Sequence, residues 1–396
     1  MPLRLAITAE PIPSHVSALD YVTVPARRQG HHVALYAPLM FRGEAGRRGV
    51  EFYRAGPDWT CNPIVQLAAS EIWKEYGNAP FNRYIFGRLW PDQAGAKATE
   101  LIAAWTRTRP DLVIAECSDL GAHLAAKVLG LPVYAADNGL GPMLLDLWDT
   151  DVAPVLTPLY KRHGLDAAPE LPPLLTPAPV PWFYGTPPAP SSVRAVRRTL
   201  APFRSTLPDS LDHSPSSPSP LSSSSSSSRP FVYVSLGTLT TAMTGLRTVV
   251  GNLHEKVMAA LSRIGVDALV SAGDLAQDLR SPNPRIKVVE HVRQPALLHH
   301  ADLFVTHGGR ASLLDAVQAT TPVLTLGVLA DQPANAEAFA RRGLGRALDL
   351  TAQRAEITDA VAALLGDSSY KAAMTAAGAE LAQLPPLDVT GLWERA

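Results

Sequence analysis

Short apolar runs alternate with helical patterns along this chain, and the alternation starts afresh in its second half. Strands that alternate with helices in this way indicate parallel sheets with helices on both faces. The predicted fold class is therefore α/β, with two Rossmann-like doubly wound domains facing a central cleft, and ligands are expected at the carboxyl ends of the strands. The predicted strands are 3–9, 32–38, 111–115, 133–136, 231–236, 267–271, 286–289, 303–306 and 323–326, and the predicted helices are 16–28, 99–107, 120–129, 248–264, 294–300, 310–318 and 335–342.

A segment rich in proline and serine separates the two halves. It includes seven consecutive serines, Ser222 to Ser228. Such a composition buries too little apolar surface to offset the entropy of the chain. We therefore predict an N-terminal domain at 1–204, a linker or disordered loop at 205–229 and a C-terminal domain at 230–396. The last helix is a candidate for packing back on the N-terminal domain.

Composition narrows the classes of function. The formal net charge is −1 and long runs of Lys or Arg are absent, which argues against nucleic acid as the main partner. The two cysteines exclude a disulfide framework and a cysteine-type zinc site. No run reaches the roughly 20 apolar residues that span a bilayer, and residues 1–8 are too short for a signal peptide. We expect a cytoplasmic protein without integral membrane association.

A His-Gly-Gly turn follows the predicted strand 303–306. His307, Gly308 and Gly309 stand immediately before a predicted helix, and Ser312 lies in its first turn. Glycines permit a close approach of the backbone to a ligand, and a helix N-terminus offers unpaired N–H groups and a partial positive charge. The segment is thus a candidate site for a diphosphate.

The sequence around this turn resembles a known family. Upstream stands the run His291-Val292-Arg293-Gln294-Pro295, and downstream stands Asp331-Gln332-Pro333-Ala334-Asn335-Ala336. Together with the His-Gly-Gly turn, these runs resemble the sugar-nucleotide-binding signature of family 1 glycosyltransferases, which have the GT-B fold. The composition rich in Ala, Arg and Pro and the run Asp331 to Ala336 resemble those of bacterial members that glycosylate natural products.

The resemblance implies donor-binding roles for the matching residues. The C-terminal domain would hold a nucleoside-diphosphate sugar, with the diphosphate against backbone amides. The implied contacts are His307 on the α-phosphate, Gly237, Thr238, Gly308, Gly309 and Ser312 around the diphosphate, Asp315 on the ribose, His291 and Val292 at the base with Gln294 matching beside them, and Asp331 and Gln332 on the sugar hydroxyls.

The family's N-terminal domain binds the acceptor, and a loop after its first strand carries a histidine. Here His15 takes that place, and the following predicted helix contains Pro25, which predicts a kink. An imidazole can accept the proton that the acceptor hydroxyl loses, and it needs a carboxylate to fix its tautomer. Glu116, at the end of the strand 111–115, is the first candidate for this carboxylate, and Asp119 is the second.

A cluster of aromatic residues is the candidate wall for an acceptor. Such a segment suits a flat or apolar small molecule, and ordinary core packing is the alternative explanation. The predicted acceptor-binding residues are Trp59, Trp73, Tyr76, Phe81, Tyr84, Phe86 and Trp90, with Met143 in a second candidate wall.

The resemblance implies an inverting glycosyltransferase of the hexosyltransferase type. It would move a sugar, expected to be a deoxysugar, from TDP or UDP to a hydrophobic aromatic or polyketide-type acceptor without a cofactor. No Asp-x-Asp sequence stands in a loop suited to a metal, so we predict a metal-independent reaction. Two alternatives stay open: an isomerase like the sugar-nucleotide 2-epimerases, and a non-catalytic nucleotide-sugar-binding helper. A homodimer also stays open.

Overall fold

The computed structural model describes residues 1–185, 192–199, 229–237 and 245–395. The chain divides into two compact units: unit 1 is Met1–Ala201 with Gln383–Ala396, and unit 2 is Pro202–Ala382. The predicted linker 205–229, apart from Arg229, and the predicted donor residue Thr238 lie outside the described residues. None of the helices that the structure describes is both long enough and apolar enough to cross a membrane.

Unit 1 is built on a parallel sheet in which the described strands follow the order β3-β2-β1-β4-β5-β6-β7. Strands β1, β4 and β5 are almost entirely buried, because helices cover both of their faces. The prediction of a doubly wound α/β domain is confirmed. The strands are β1 Arg4–Thr8, β2 His32–Ala37, β3 Glu51–Arg54, β4 Leu112–Glu116, β5 Val133–Ala136, β6 Leu174–Thr176 and β7 Val193–Ala195.

The first helical segment of unit 1 differs from the prediction. The single helix predicted at 16–28 is two helices, because the Leu19 amide bonds the carbonyl of Val16 only three residues back, a tighter turn than an α-helix makes. Pro25 lies within the second helix, so the interruption precedes it. The helices are α1 Pro13–Ala18, α2 Asp20–Arg28, α3 Arg42–Arg48, α4 Pro63–Tyr76, α5 Asn78–Tyr84, α6 Trp90–Arg107, α7 Leu120–Val128, α8 Gly141–Leu147, α9 Ala153–Arg162 and α10 Val180–Phe183, with short 3₁₀ or π segments at Leu39–Phe41, Trp59–Cys61, Ile85–Leu89 and Trp148–Val152.

Unit 2 repeats the architecture with a second parallel sheet, in the order β10-β9-β8-β11-β12-β13. The prediction of a second doubly wound domain is likewise confirmed. Its strands are β8 Phe231–Ser235, β9 Asp267–Ser271, β10 Ile286–Val289, β11 Leu303–Thr306, β12 Val323–Gly327 and β13 Gly345–Asp349. Its described helices are α11 Arg247–Ile264, α12 Gln294–Leu298, α13 Arg310–Gln318, α14 Gln332–Arg341, α15 Arg354–Gly366 and α16 Ser369–Gln383, with a 3₁₀ segment at Gly273–Gln277.

The last helix, α17 Val389–Glu394, packs in unit 1. Val389 and Leu392 are buried in the same apolar core as Leu5 and Ile7 of β1. Polar contacts fix the register of this segment, because the Tyr134 hydroxyl donates to the Leu392 carbonyl at 3.0 Å. The final residues of the chain therefore complete the core of the N-terminal sheet.

Helix α7 buries a titratable ring, His123, which is 2 % exposed. Burial lowers the pKa of His123 from 6.5 to about 4, outweighing the nearby carboxylates of Asp119 and Glu116. The folded chain thus keeps this ring neutral at pH values where the unfolded chain binds a proton.

We expect His123→Leu to reduce the loss of stability in acid. Between pH 6.5 and 4 the unfolded state binds one more proton at this residue than the folded state, so the free energy of unfolding falls as pH falls. The variant should lose this contribution, at most about 1.4 kcal/mol per pH unit. Urea unfolding of wild type and variant across this pH range measures it. The exposed His32→Gln should keep the wild-type slope, and an unchanged slope in His123→Leu would refute the assignment.

Candidate functional site

The strand order of unit 1 changes direction between β1 and β4. The loops that leave the carboxyl ends of these two neighbouring strands therefore emerge at the same point, which is the usual ligand position in a doubly wound sheet. The loop after β1 leads into α1, which carries His15, and Glu116 is the last residue of β4. The topology thus brings two distant parts of the sequence together.

His15 and Glu116 form an ion-pair contact at this point. The His15 Nδ1 atom lies 2.7 Å from Glu116 Oε1, and the side chains are 12 % and 0 % exposed. With its Nδ1 atom directed to a carboxylate, the ring has a fixed orientation. This arrangement is the one that orients a histidine for general-base chemistry.

Four groups hold the Glu116 carboxylate in place. The Glu10 backbone N–H donates to Oε2 at 2.8 Å, and Asn138 Nδ2 donates to Oε1 at 2.9 Å. The Ser118 hydroxyl also donates to Oε1, and His15 completes the set. Burial acts to raise the pKa of Glu116, but the His15 ring and these hydrogen bonds outweigh it and lower the pKa below its usual value. Glu116 is therefore held as a carboxylate.

Asp119, the second predicted partner of His15, contacts other groups. Its Oδ2 atom lies 2.6 Å from Lys97 Nζ, and its Oδ1 atom accepts the Ala122 amide at 3.1 Å. Asp119 thus caps the N-terminus of α7 and pairs with a buried lysine. The structure brings His15 together with Glu116.

The predicted aromatic wall divides into buried and accessible rings. Trp73, Phe81, Phe86 and Trp90 are buried, and the last two pack edge to face with ring centres 4.6 Å apart. Trp59, Tyr84 and Met143 are half-buried, and Tyr76 is 60 % exposed. Trp59 Nε1 donates to Glu10 Oε2 at 2.9 Å, which ties this ring to the loop after β1.

The corresponding change of direction in unit 2 lies between β8 and β11. Gly237 follows β8, and His307, Gly308 and Gly309 follow β11. The His307 ring occupies the space that side chains at the flanking glycines would need: a Cβ atom at Gly237 would lie 3.0 Å from His307 Nε2, and one at Gly309 would lie 2.5 Å from it. Gly237 and Gly308 also have φ of +85°, a conformation that favours glycine.

The His307 ring is neutral in the folded protein. Burial lowers its pKa to about 4, in spite of a backbone contact at Ser235 that acts in the opposite direction. A neutral imidazole can take part in one hydrogen bond as donor and in one as acceptor, and it carries no charge of its own. The glycine turn therefore offers a ligand hydrogen bonds and backbone amides.

Several other residues predicted to bind the sugar nucleotide are held in place by hydrogen bonds. Gln294 Nε2 donates to Ser312 Oγ at 3.1 Å and to Asp315 Oδ2 at 3.0 Å, so three predicted residues form one cluster. The Gln332 side chain accepts the amides of Val328 and Leu329, both at 3.1 Å. Of the predicted base contacts, His291 is exposed and Val292 is half-buried.

Sequence reasoning missed a buried relay beside the glycine turn. Arg310, 3 % exposed, donates from Nη2 to Asn335 Oδ1 at 3.2 Å. Asn335 Nδ2 in turn donates to Asp331 Oδ2 at 2.5 Å and to the Gly308 carbonyl at 3.2 Å. The relay connects the first residue of α13 with the predicted sugar-binding Asp331. The available sequence signal was Asn335 within the run that contains Asp331 and Gln332.

Comparison with protein families finds a match that covers most of unit 2. The model of the family described as "UDP-glucoronosyl and UDP-glucosyl transferase" matches residues 217–393. Zeaxanthin glucosyltransferase of Pseudescherichia vulneris is 32 % identical over 168 residues, and zeaxanthin glucosyltransferase of Pantoea ananas is 32 % identical over 123 residues. These matches cover 41 % and 31 % of this chain and only 39 % and 27 % of the relatives' own lengths.

Solved structures match the whole chain. Spinosyn rhamnosyltransferase SpnG superimposes with a TM-score of 0.77 at 20 % identity, covering all of both chains. Glycosyltransferase VinC, solved in complex with dTDP, gives a TM-score of 0.75 at 21 % identity, again over both full chains. At this identity the likeness establishes the fold. Residues 217–393 therefore resemble the UDP-glucoronosyl and UDP-glucosyl transferase family, and the two units have the fold of GT-B glycosyltransferases.

Proposed function

We propose that the protein is an inverting, metal-independent glycosyltransferase that moves a sugar from a nucleoside diphosphate to a hydrophobic natural-product acceptor. The observation that carries the proposal is the 2.7 Å contact between His15 Nδ1 and the buried Glu116. The family match of residues 217–393 and the similarity to solved GT-B structures support it. Unit 2 would bind the donor, and unit 1 would bind the acceptor and supply the base.

The proposed reaction is a single displacement at the anomeric carbon. The acceptor oxygen attacks that carbon while the bond to the diphosphate breaks, and the configuration inverts. Because Nδ1 of His15 faces Glu116, Nε2 would accept the proton of the acceptor hydroxyl. Glu116 would stabilise the imidazolium that forms, since it is held as a carboxylate by its other hydrogen bonds.

The leaving diphosphate would be neutralised at the glycine turn of unit 2. The backbone amides of Gly309 and the first turn of α13, with the Ser312 hydroxyl, would provide hydrogen-bond donors, and the neutral His307 ring would contact the α-phosphate. Asp315 and Asp331 would bind the ribose and the sugar. Two of the similar solved structures bear the names of thymidine diphosphate or dTDP, and the family is named for UDP-sugars, so we propose TDP or UDP as the carrier.

The proposed acceptor is an aromatic or polyketide-type molecule, and the proposed sugar is a deoxysugar. SpnG, which has the same fold, is named a rhamnosyltransferase and has been solved in complex with spinosyn aglycone. In this chain the half-buried Trp59, Tyr84 and Met143 and the exposed Tyr76 are the accessible members of the predicted wall.

The direct test is to incubate the protein with TDP- and UDP-sugars and a panel of aromatic and polyketide aglycones. We expect release of the nucleoside diphosphate together with a product whose mass equals that of the glycosylated acceptor. An altered sugar nucleotide would indicate an isomerase, and binding without turnover would indicate a helper protein. Either of these results would overturn the proposed function.

His15→Ala should lower kcat by at least about 100-fold, because the variant lacks the group that accepts the proton. The affinity for TDP or UDP, measured by titration calorimetry, should stay at the wild-type value, since His15 belongs to unit 1. Glu116→Gln should also lower kcat, because the imidazolium loses its carboxylate. His32→Ala removes an exposed histidine and serves as the control. Wild-type turnover in His15→Ala would exclude His15 as the base.

Gly309→Ala should weaken nucleoside-diphosphate binding by at least about tenfold, since the new methyl group would displace the His307 ring from the turn. The φ of Gly309 is −63°, which alanine adopts without strain, so the effect is steric. Gly251→Ala is the matched control, because a Cβ atom there meets nothing within 4 Å. Equal affinities of Gly309→Ala and the control would contradict the placement of the diphosphate.

A further inference from the structure

A buried lysine reaches the switch point of unit 1 from helix α6. Lys97 is 2 % exposed and lies in the apolar stripe that also contains Ala94, Leu101 and Trp105. A buried ammonium group is expensive to desolvate, so it persists only where anionic or carbonyl partners surround it. Its position is therefore informative about the groups that it contacts.

Three oxygen atoms from the two loops of the switch point surround the Lys97 ammonium group. It donates to the Ala9 carbonyl at 2.7 Å, and it lies 3.3 Å from Glu10 Oε1 and 2.6 Å from Asp119 Oδ2. Ala9 and Glu10 follow β1, and Asp119 follows β4. One ammonium group thus contacts both the loop that precedes His15 and the loop that follows Glu116.

Two glycines leave room for the stem of this lysine. A Cβ atom at Gly56 would lie 2.8 Å from Lys97 Cδ, and one at Gly121 would lie 2.9 Å from Lys97 Cβ. Gly56 belongs to the loop after β3 and Gly121 to α7, so separate elements accommodate the same side chain. Close packing of this kind fixes the rotamer and hence the position of the ammonium group.

Lys97 is connected to the His15–Glu116 pair through Glu10. The Glu10 backbone N–H donates to Glu116 Oε2 at 2.8 Å, and the Glu10 side chain contacts Lys97 and accepts Trp59 Nε1 at 2.9 Å. The dyad carboxylate and a predicted acceptor-binding ring therefore bond to the same residue, which the lysine anchors.

We propose that Lys97 is a positioning residue of the reaction, whose ammonium group fixes the turn at Ala9 and Glu10 so that this turn holds Glu116 against His15 and orients the Trp59 ring. The kinetic part of this inference rests on the proposed function, and the geometric part does not. The contacts that the Lys97 ammonium group makes are with Ala9, Glu10 and Asp119, so the proposed effect on His15 and Glu116 is transmitted through these residues.

The charges of the cluster support this role. Burial raises the pKa of Glu10 to about 7, and the positive charge of Lys97 opposes that rise while the carboxylates of Asp119 and Glu116 add to it. Without Lys97, the carboxyl groups of Glu10, Glu116 and Asp119 would share a buried space without the ammonium group that offsets their charge. Repulsion between them would favour displacement of the Glu10 turn.

Lys97→Met tests the proposal, because methionine keeps an unbranched stem and removes the ammonium group. We expect kcat to fall by about 10- to 100-fold, as for a small displacement of a catalytic group, while the KM for the donor stays within about threefold of wild type. Lys127→Met, which removes an exposed lysine of α7, is the matched control and should keep wild-type values.

A second measurement does not need sugar transfer. In proton NMR, the Nδ1 proton that His15 shares with Glu116 should give a strongly downfield resonance, assigned by its loss in His15→Ala. We expect the resonance to disappear or broaden in Lys97→Met and to persist in Lys127→Met. If the wild-type protein transfers no sugar, the proposed function fails, and this resonance alone decides the positioning role.

The double variant Lys97→Met/Asp119→Asn decides the question if Lys97→Met does not fold. It removes the buried carboxylate left without its lysine, and the asparagine can still accept the Ala122 amide at the start of α7. The same fall in kcat and the same loss of the resonance are expected. A folded variant with wild-type kcat and the wild-type Nδ1 resonance would overturn the proposal.

Discussion

The buried carboxylate at the end of β4 is the constraint on which the organisation of unit 1 depends. Removing an ion from water costs several kcal/mol, and the cost is offset only when several hydrogen-bond donors surround both oxygens. Glu116 meets this condition with a ring from α1, an amide from the loop after β1, and the side chains of Ser118 and Asn138. Because these partners come from three loops, satisfying one carboxylate fixes the mutual position of all three.

In unit 2 the position of the key side chain is determined by steric fit, whereas in unit 1 it is determined by a buried charge. The His307 ring lies close to the positions that Cβ atoms at Gly237 and Gly309 would occupy. Because glycine has no Cβ atom, these two residues leave space for the ring. A pKa of about 4 keeps the ring neutral, and the polar groups around it belong to hydrogen-bonded clusters. The same doubly wound topology thus produces a charged, ligand-independent network in one unit and a turn lined with backbone amides in the other.

The sequence predicts best what is determined locally. Strands β5, β9, β10 and β11 have the predicted bounds, because each is a continuous apolar run between turn residues. Helix α6 begins at Trp90 rather than at residue 99, because the buried face of its first turns continues the stripe largely with alanine and a lysine, which give a weak apolar signal. The helices α4 and α5 and the short strands β6 and β7 were missed in segments rich in aromatic residues or proline.

In the candidate site, too, the features that depend on local sequence were predictable and those that depend on distant contacts were not. Glu116 was predictable as a polar residue at the end of a buried strand, and the glycine turn was predictable from its motif. Lys97, Asn138 and Arg310 were not, because their partners are distant in sequence or depend on how a helix is rotated. A lysine within the apolar stripe of α6 was the one available signal, and it needed the fold to be interpreted.

The placement of α17 in unit 1 makes the connectivity of the two units unequal. Unit 2 is one continuous stretch of chain, whereas unit 1 is assembled from both sides of it, with Val389 and Leu392 completing a core that begins at β1. A recombination event that exchanges only the N-terminal half between two such chains would leave this core with a foreign closing helix. Inheritance of either unit as a whole therefore requires two crossover points, one on each side of unit 2, and a single crossover between the units always divides unit 1.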